Sequence, residues 1–278
     1  MARAAIVTVG NEILSGDVEN TNASWLARRL ADLGVEVSLI AVLADEIEGV
    51  AAFVREQAAA ADVVIVTGGL GGTPDDVTRE SVAAAFGVTQ VEQPEVADRL
   101  RTRFARDPEY AASWAMLPQG SRPLEIPNGG APGFAIQNVY VLPGLPAEME
   151  AMFDTIADEI RAGPPIATWR RTFRTTESRI VGVLEEMARR HPEVLLGSYP
   201  SFEGGPEVEV VVKSSDAEAL AAAVAWIEPE LEAAEGVSGE RRSGRVPYGS
   251  TPLNHAAALP PLATAGAWHR PWPEPPLG

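Results

Sequence analysis

Apolar and polar positions in the first 160 residues alternate between two rhythms. AAIVTVG (4–10), VEVSLIAVL (35–43), ADVVIV (61–66) and NVYVLPG (138–144) are apolar runs of strand length. Between them, SWLARRLADLG (24–34) reads as an amphipathic helix closed by Gly34. EIEGVAAFVREQAAAA (46–61) places Ile47, Val50, Phe53 and Val54 on one helical face. A further helix is predicted from Val77 to Phe86, and PAEMEAMFDTIADEI (146–160) is a helix with proline near its start. Strand and helix in alternation predict a parallel sheet with right-handed crossovers.

The pattern weakens from Val88 to Pro127. Pro94 to Arg106 reads as helix, and WAMLPQGSRPLEIPNGGAPGFAIQ as loop. RAGPP (161–165) has the composition of a linker. Beyond it, RTFRTT (171–176) is a strand, ESRIVGVLEEMARR (177–190) a helix, and EVLLGSYPS a strand running into a turn. EVEVVVKSS (207–215) alternates as a half-buried strand does, and DAEALAAAVAWIEPELEAAEG (216–236) is a helix. This β-α-β-β-α order predicts a small α+β layer. The predicted organisation is a first domain over 1–165, a second over 169–236, and a disordered or non-native tail over 237–278. The tail is Pro-rich, without period, and carries four arginines against two glutamates.

Composition narrows the chemistry. The 278 residues include no cysteine and three histidines, two of them (His255, His269) in the tail. Disulfides, thiolate zinc sites, a cysteine nucleophile and a Ser-His-Asp triad are therefore not expected. Any catalysis falls to carboxylates, backbone amides and a divalent metal such as Mg²⁺. A net charge of −17 repels nucleic acid and anionic membranes, and Lys213 is the one lysine. That acidic, lysine-poor balance suits a halophilic cytoplasm. No run is long enough to span a membrane, and MARAAIVTVG reads as a strand rather than a signal peptide, so a cytoplasmic protein is expected.

The most informative loop is TGGLGGTPDDVTRE (67–80), directly after the third strand. In open α/β sheets ligands bind outside the carboxyl ends of strands. GNEILSGD (10–17), ADE (44–46) and GGLGGTPDD (68–76) all leave such ends. Consecutive glycines let backbone N–H groups converge, and the helix that follows adds its positive end, which attracts phosphate. Thr73 and Thr78 can donate hydroxyl hydrogen bonds. Asp75 and Asp76 repel a bare phosphate but make sense beside Mg²⁺. A plain turn with one aspartate as helix cap explains only one of the pair. The loop is neither a Walker A motif nor a dinucleotide G-x-G-x-x-G fingerprint.

TVGNEILSGDVENTN, TGGLGGTPDDVTRE, IPNGGAPGF and LPGLPAEME together resemble the CinA family. The likeness runs from Ala2 to Ile160 and implies a MoaB/Mog-like molybdopterin-binding domain, a three-layer α/β fold with a mainly parallel sheet. Residues 170–236 resemble the small KH-like α+β domain that follows in that family. Without a helix-GxxG-helix arrangement, and acidic, that segment is not expected to bind RNA. About forty residues remain after Gly236, so the C-terminal deamidase domain of longer family members is not expected.

The resemblance also implies roles. Thr67, Gly68, Gly69, Gly71, Thr73 and Thr78 match the glycine loop that holds the substrate. Gly10 and Asn22 match the first motif, Gly130 the third, and Pro143, Gly144 and Pro146 the element that closes the site. Asp76, with Asp75, would be catalytic, and Asp76, Asp45 and Glu12 would place a divalent metal. Asp75 stands where the Mog branch often has Arg. Gly72 replaces a proline common in CinA proteins, a change expected to loosen the loop. The implied activity is metal-dependent hydrolysis of a nucleotide diphosphate such as ADP-ribose. Molybdopterin binding or adenylylation, and binding without turnover, are the alternatives. The expected partner is a small nucleotide or pterin phosphate, with a homo-oligomer left open. On the bland side, Glu12 can be a solvated residue, Asn22 or Ser24 a helix cap, and the glycines of 129–133 turn residues.

Overall fold

The computed structural model describes residues 2–124, 127, 129–202 and 204–236, and these group as one compact unit. The reading of 237–278 as a tail lies outside the described residues. In chain order the first elements are β1 (Ala2–Val9), α1 (Asn11–Leu14), α2 (Thr21–Asp32), β2 (Val35–Leu43), α3 (Ile47–Ala60), β3 (Val63–Thr67) and α4 (Thr78–Phe86). There follow β4 (Gln90–Glu92), α5 (Pro94–Arg103), α6 (Pro108–Ser113), β5 (Met116–Pro118), β6 (Arg122–Pro123), β7 (Phe134–Ile136), β8 (Val139–Leu142) and α7 (Pro146–Ile160). The last are β9 (Ala167–Phe173), α8 (Glu177–Arg190), β10 (Leu195–Ser201), β11 (Glu207–Ser214) and α9 (Ala217–Gly236).

A six-stranded sheet runs in the order β2-β1-β3-β8-β7-β6. The β2, β1, β3 and β8 strands are parallel, and β7 and β6 add antiparallel pairs at one edge. The fold is thus α/β with a mainly parallel sheet, as the strand-helix rhythm requires. Strand residues alternate between two cores. Ala4, Ile6, Ile65 and Leu142 pack with Leu26, Leu30, Met149 and Phe153 of α2 and α7. Ala5, Val7, Val64 and Val66 pack with Val50 and Val54 of α3 and Val82 of α4. Helices on both faces explain why these strands read as unbroken apolar runs. Each fully buried valine, leucine or isoleucine side chain among them stabilises the fold by about 1.5–3 kcal/mol. Phe153 adds an edge-to-face contact with Trp25, 5.4 Å between centroids.

α2 starts earlier than its apolar face indicates, because the Asn20 side chain accepts from the Ala23 N–H and caps it. Asn22 and Ser24 are not the cap. The stretch read as loop contains β5, β6 and β7, strands of two or three residues that are too short to show a period, and the six-residue α6 directly precedes it. α5 and α6 share a small cluster of Val96, Leu100, Ala111 and Ala112, with Phe104 and Trp114 against it.

The second sheet, antiparallel β10-β11-β9, covers a core of Phe173, Ile180, Met187, Val208, Val210, Val212 and Ile227. Residues 161–166, linker-like in composition, are fixed. Ala162 and Gly163 donate backbone N–H groups to the Leu33 carbonyl, and Ile166 donates to Ala31. Gly34, at φ +73°, makes room for them: a Cβ there would lie 2.6 Å from the Gly163 backbone.

Candidate functional site

The four parallel strands end on one side of the sheet, so their exit loops converge. Gly68 follows β3 at φ +102°, where a Cβ would sit 2.2 Å from the Val9 carbonyl oxygen at the end of β1. A Cβ on Gly144, after β8, would approach the Gly68 Cα to 3.3 Å. Only glycine lets three backbones meet this closely. Around them lies a cleft of about 660 Å³, lined by Gly68 to Gly71, Asp76, Glu12, Gly129, Gly130, Pro143 to Pro146, Glu148, Phe104 and Trp114. A cleft of this size suits a small molecule.

Within the loop after β3, donors and acceptors are sorted. The Thr78 hydroxyl donates to the Gly68 carbonyl at 2.8 Å, and the Thr78 N–H donates to that of Gly69. Arg79 donates through its guanidinium to the Leu70 and Gly71 carbonyls, both at 2.6 Å. All four carbonyls are held. By contrast, no acceptor among the described residues takes the N–H groups of Gly69, Leu70, Gly71 or Gly72. A run of amides left without acceptors at a cleft is the donor set that an anion requires.

Arg79 is 9% exposed, and burial pulls its pKa down, against the charges of Asp76 and Glu80. It was not legible as a site residue, since an arginine in a first helical turn reads as solvated surface. Arg79→Met should lower stability by about 1–3 kcal/mol in urea unfolding, because one buried and one partly buried carbonyl lose their donor. Arg79→Lys should fail to restore it, since an ammonium lacks the planar fork that spans both oxygens. Wild-type stability in either variant would refute this role.

The acidic residues form the other half of the site. Asp76 accepts from the Thr73 N–H at 2.8 Å, and the Thr73 hydroxyl lies 2.6 Å from Asp76 Oδ2 and 2.5 Å from Asp75 Oδ1. One hydroxyl carries one proton, so the two carboxylates cannot both accept it. The Thr73 hydroxyl holds the Asp75 carboxyl below its ordinary pKa. Asp45 accepts from the Asn11 N–H at 2.8 Å at the start of α1. Burial pushes the Asp45 carboxyl up, and the charges of Glu12, Asp75 and Asp76 push the same way against that hydrogen bond. Neither aspartate of the pair caps α4, whose capping residue is Val77 without a side-chain bond. Among the described residues no group of three or more His, Cys, Asp or Glu side chains is placed to hold a metal ion.

The remaining expected residues divide by position. Gly68, Gly69, Gly71, Asp76, Glu12, Gly130, Pro143, Gly144 and Pro146 line the cleft. Thr67 and Thr78 are fully buried, so they reach a ligand only through the backbone they hold. The Thr67 hydroxyl donates to the Pro143 carbonyl and accepts from Asn22 Nδ2, which also donates to the Gly144 carbonyl at 2.8 Å. Asn22 and Thr67 line a smaller adjoining cavity of about 90 Å³. Gly10 donates its N–H to the Leu43 carbonyl, and its missing side chain leaves room for the Glu12 carboxylate. Phe104 and Trp114, at the ends of α5 and α6, carry no signal in the sequence that they reach this cleft, whose other side comes from distant loops. At Gly72 the space beside the backbone is filled: a Cβ would lie 2.6 Å from both Trp114 Nε1 and the Tyr110 hydroxyl. No described helix is long and apolar enough to cross a membrane.

Residues 5–162 match the family model described as a probable molybdopterin binding domain, and residues 170–239 match a model of the FAD synthase middle domain. A protein from Archaeoglobus fulgidus is 40% identical over 195 residues, covering 70% of this chain and 84% of that protein. A CinA-like protein from Frankia casuarinae is 41% identical over 202 residues, 67% of this chain and 47% of its own length. The chain therefore spans about half the length of that curated relative. The crystal structure of CinA from Thermoplasma acidophilum, a protein of unknown function, aligns with a TM-score of 0.54 and 32% identity. That alignment covers 58% of this chain and 99% of the other. The motifs around the cleft, the matching domain model and these relatives agree: the chain belongs to the CinA family, with a MoaB/Mog-like domain as its first part.

Proposed function

We propose that the cleft binds a pterin or nucleotide through its phosphate or diphosphate. One observation carries the reading: among the described residues the amides of Gly69 to Gly72 lack acceptors, while the carbonyls of Gly68 to Gly71 are all held from behind. Loops of this kind bind anions through oriented N–H groups. The molybdopterin-binding description of the matching domain model supports a pterin phosphate as one ligand class.

The carboxylate pair favours a second step, hydrolysis of a bound diphosphate such as ADP-ribose. Asp75 and Asp76 converge on a single hydroxyl proton, a surplus of negative charge beside a phosphate site. The described residues do not build a three-carboxylate cage. Mg²⁺ often needs only one or two carboxylates, with substrate phosphates completing its shell. Asp76 and Asp75 are the residues to hold such an ion, which would offset phosphoryl charge and lower the pKa of a bound water. The chain's own part is to seat the phosphate on the loop amides and to hold Asp76 in place through Thr73.

Thermal unfolding in the presence of ADP-ribose, ATP or molybdopterin tests the binding reading. The true ligand should raise the Tm by several degrees at about a hundred times its Kd. No shift with any phosphorylated pterin or nucleotide would refute it. Product analysis with ADP-ribose and Mg²⁺ then separates the chemistries: AMP and ribose 5-phosphate mean hydrolysis, adenylylated molybdopterin from ATP means transfer, and neither means binding alone.

A further inference from the structure

The cleft has an aromatic side that phosphate binding does not use. Phe104 closes α5 and Trp114 closes α6, and both rings line the cleft whose other side is the glycine loop. They meet edge to face, 5.3 Å apart at 73°, and Tyr110 meets Trp114 the same way at 5.5 Å. Packing on the small α5–α6 cluster accounts for one side of these rings, since Val96, Leu100 and Ala112 lie beneath them. It does not account for the indole nitrogen. Trp114 Nε1 is buried with no hydrogen-bond partner among the described residues. It stands over Gly72, where any side chain would collide with it. A buried N–H without an acceptor is a standing cost to the fold, one accepted to keep the ring at the cleft. Leu145, 64% exposed, adds apolar surface to the same cleft.

We infer that Phe104 and Trp114 form a stacking wall for the flat heterocycle of the ligand whose phosphate lies on the glycine loop. The ligand class is a purine or pterin carrying a diphosphate. Aromatic walls bind any planar ring through its π-face, which leaves purine and pterin both admissible. This inference rests on the phosphate-binding reading above and adds the ring to it.

Calorimetric titration in excess Mg²⁺ tests it with three probes: ADP, 6-hydroxymethylpterin diphosphate, and inorganic pyrophosphate as the ring-less control. The wild type should bind at least one of the two ring-bearing probes about tenfold or more tightly than pyrophosphate, the scale of base–aromatic stacking. Trp114→Leu should lose that advantage while pyrophosphate affinity stays unchanged, and Trp114→Phe should keep most of it. Three results would overturn the wall: no ring advantage in the wild type, an advantage that survives Trp114→Leu, or a parallel loss for pyrophosphate. The last would mark Trp114 as a purely structural residue. Failure of the wild type to bind any of the three probes would remove the phosphate reading as well, and so is distinct from the first three.

Discussion

Gly68→Ala is expected to be the most damaging single-methyl change in the chain. Its φ of +102° is a backbone state that L side chains rarely adopt, and the new Cβ would lie 2.2 Å from the Val9 carbonyl oxygen. Strained φ/ψ states of this kind cost on the order of 1–3 kcal/mol by themselves. The collision adds to that because its partner is backbone in the middle of the sheet, which cannot swing away as a side chain can. Relief requires β1 and β3 to part, or the loop to lift. Lifting the loop breaks the Gly68 N–H bond to Leu142 and the Thr78 bond to the Gly68 carbonyl. A loss of about 3 kcal/mol or more in urea unfolding should follow, together with loss of phosphate binding. Gly87→Ala is the control. Gly87 also has positive φ (+66°), at the end of α4, but a Cβ there meets nothing within 4 Å. It should cost only about 1 kcal/mol, the backbone term alone. Equal losses in the two variants would show that the approach of Gly68 to Val9 does not matter.

Asp76→Asn is expected to separate chemistry from folding. Asparagine keeps the shape, and its oxygen still accepts from the Thr73 N–H, so the loop should hold and the Tm should barely change. On the proposed hydrolysis, turnover of ADP-ribose should fall by roughly 100-fold or more, the scale on which lost electrostatic stabilisation is felt. Near-normal turnover in the folded variant would remove Asp76 from the catalytic assignment. A second readout needs no turnover. Asp76 is one of the charges that hold the Asp45 carboxyl above its ordinary value. With that charge removed, Asp45 should titrate lower, as followed by carboxyl NMR, and an unmoved Asp45 would mean the two groups do not share a field.

What the sequence discloses depends on the length of its elements. β2 (Val35–Leu43), α7 (Pro146–Ile160) and α8 (Glu177–Arg190) have the bounds that their apolar periods predict. Each spans enough residues for a period to stand out. Apart from α5, the region from β4 to β7 does not, because strands of two or three residues and a six-residue helix complete no cycle of either rhythm. For the same reason the site was half legible. The glycine loop and its aspartates are adjacent in sequence, and their residue types announce their chemistry. Arg79 is hidden by its polarity, since burial of a guanidinium depends on carbonyls supplied by the folded loop. Phe104 and Trp114 are hidden by distance, as the cleft they line is completed by residues from the other end of the domain. Asn22 and Thr67 were legible as polar residues near the site, but that each holds up the loop after β8 shows only in three dimensions.

The clamp on residues 161–166 bears on how this family can recombine. By composition alone, a chimera joined after Ile160 exchanges one sheet for another at a neutral seam. It would in fact replace the donors of Ala162, Gly163 and Ile166, whose acceptors are the carbonyls of Leu33 and Ala31 at the end of α2. Gly34 would remain with a cavity shaped to the old bridge. The seam that keeps every hydrogen bond within one parent lies after Ile166, and the bridge is inherited with the parallel sheet.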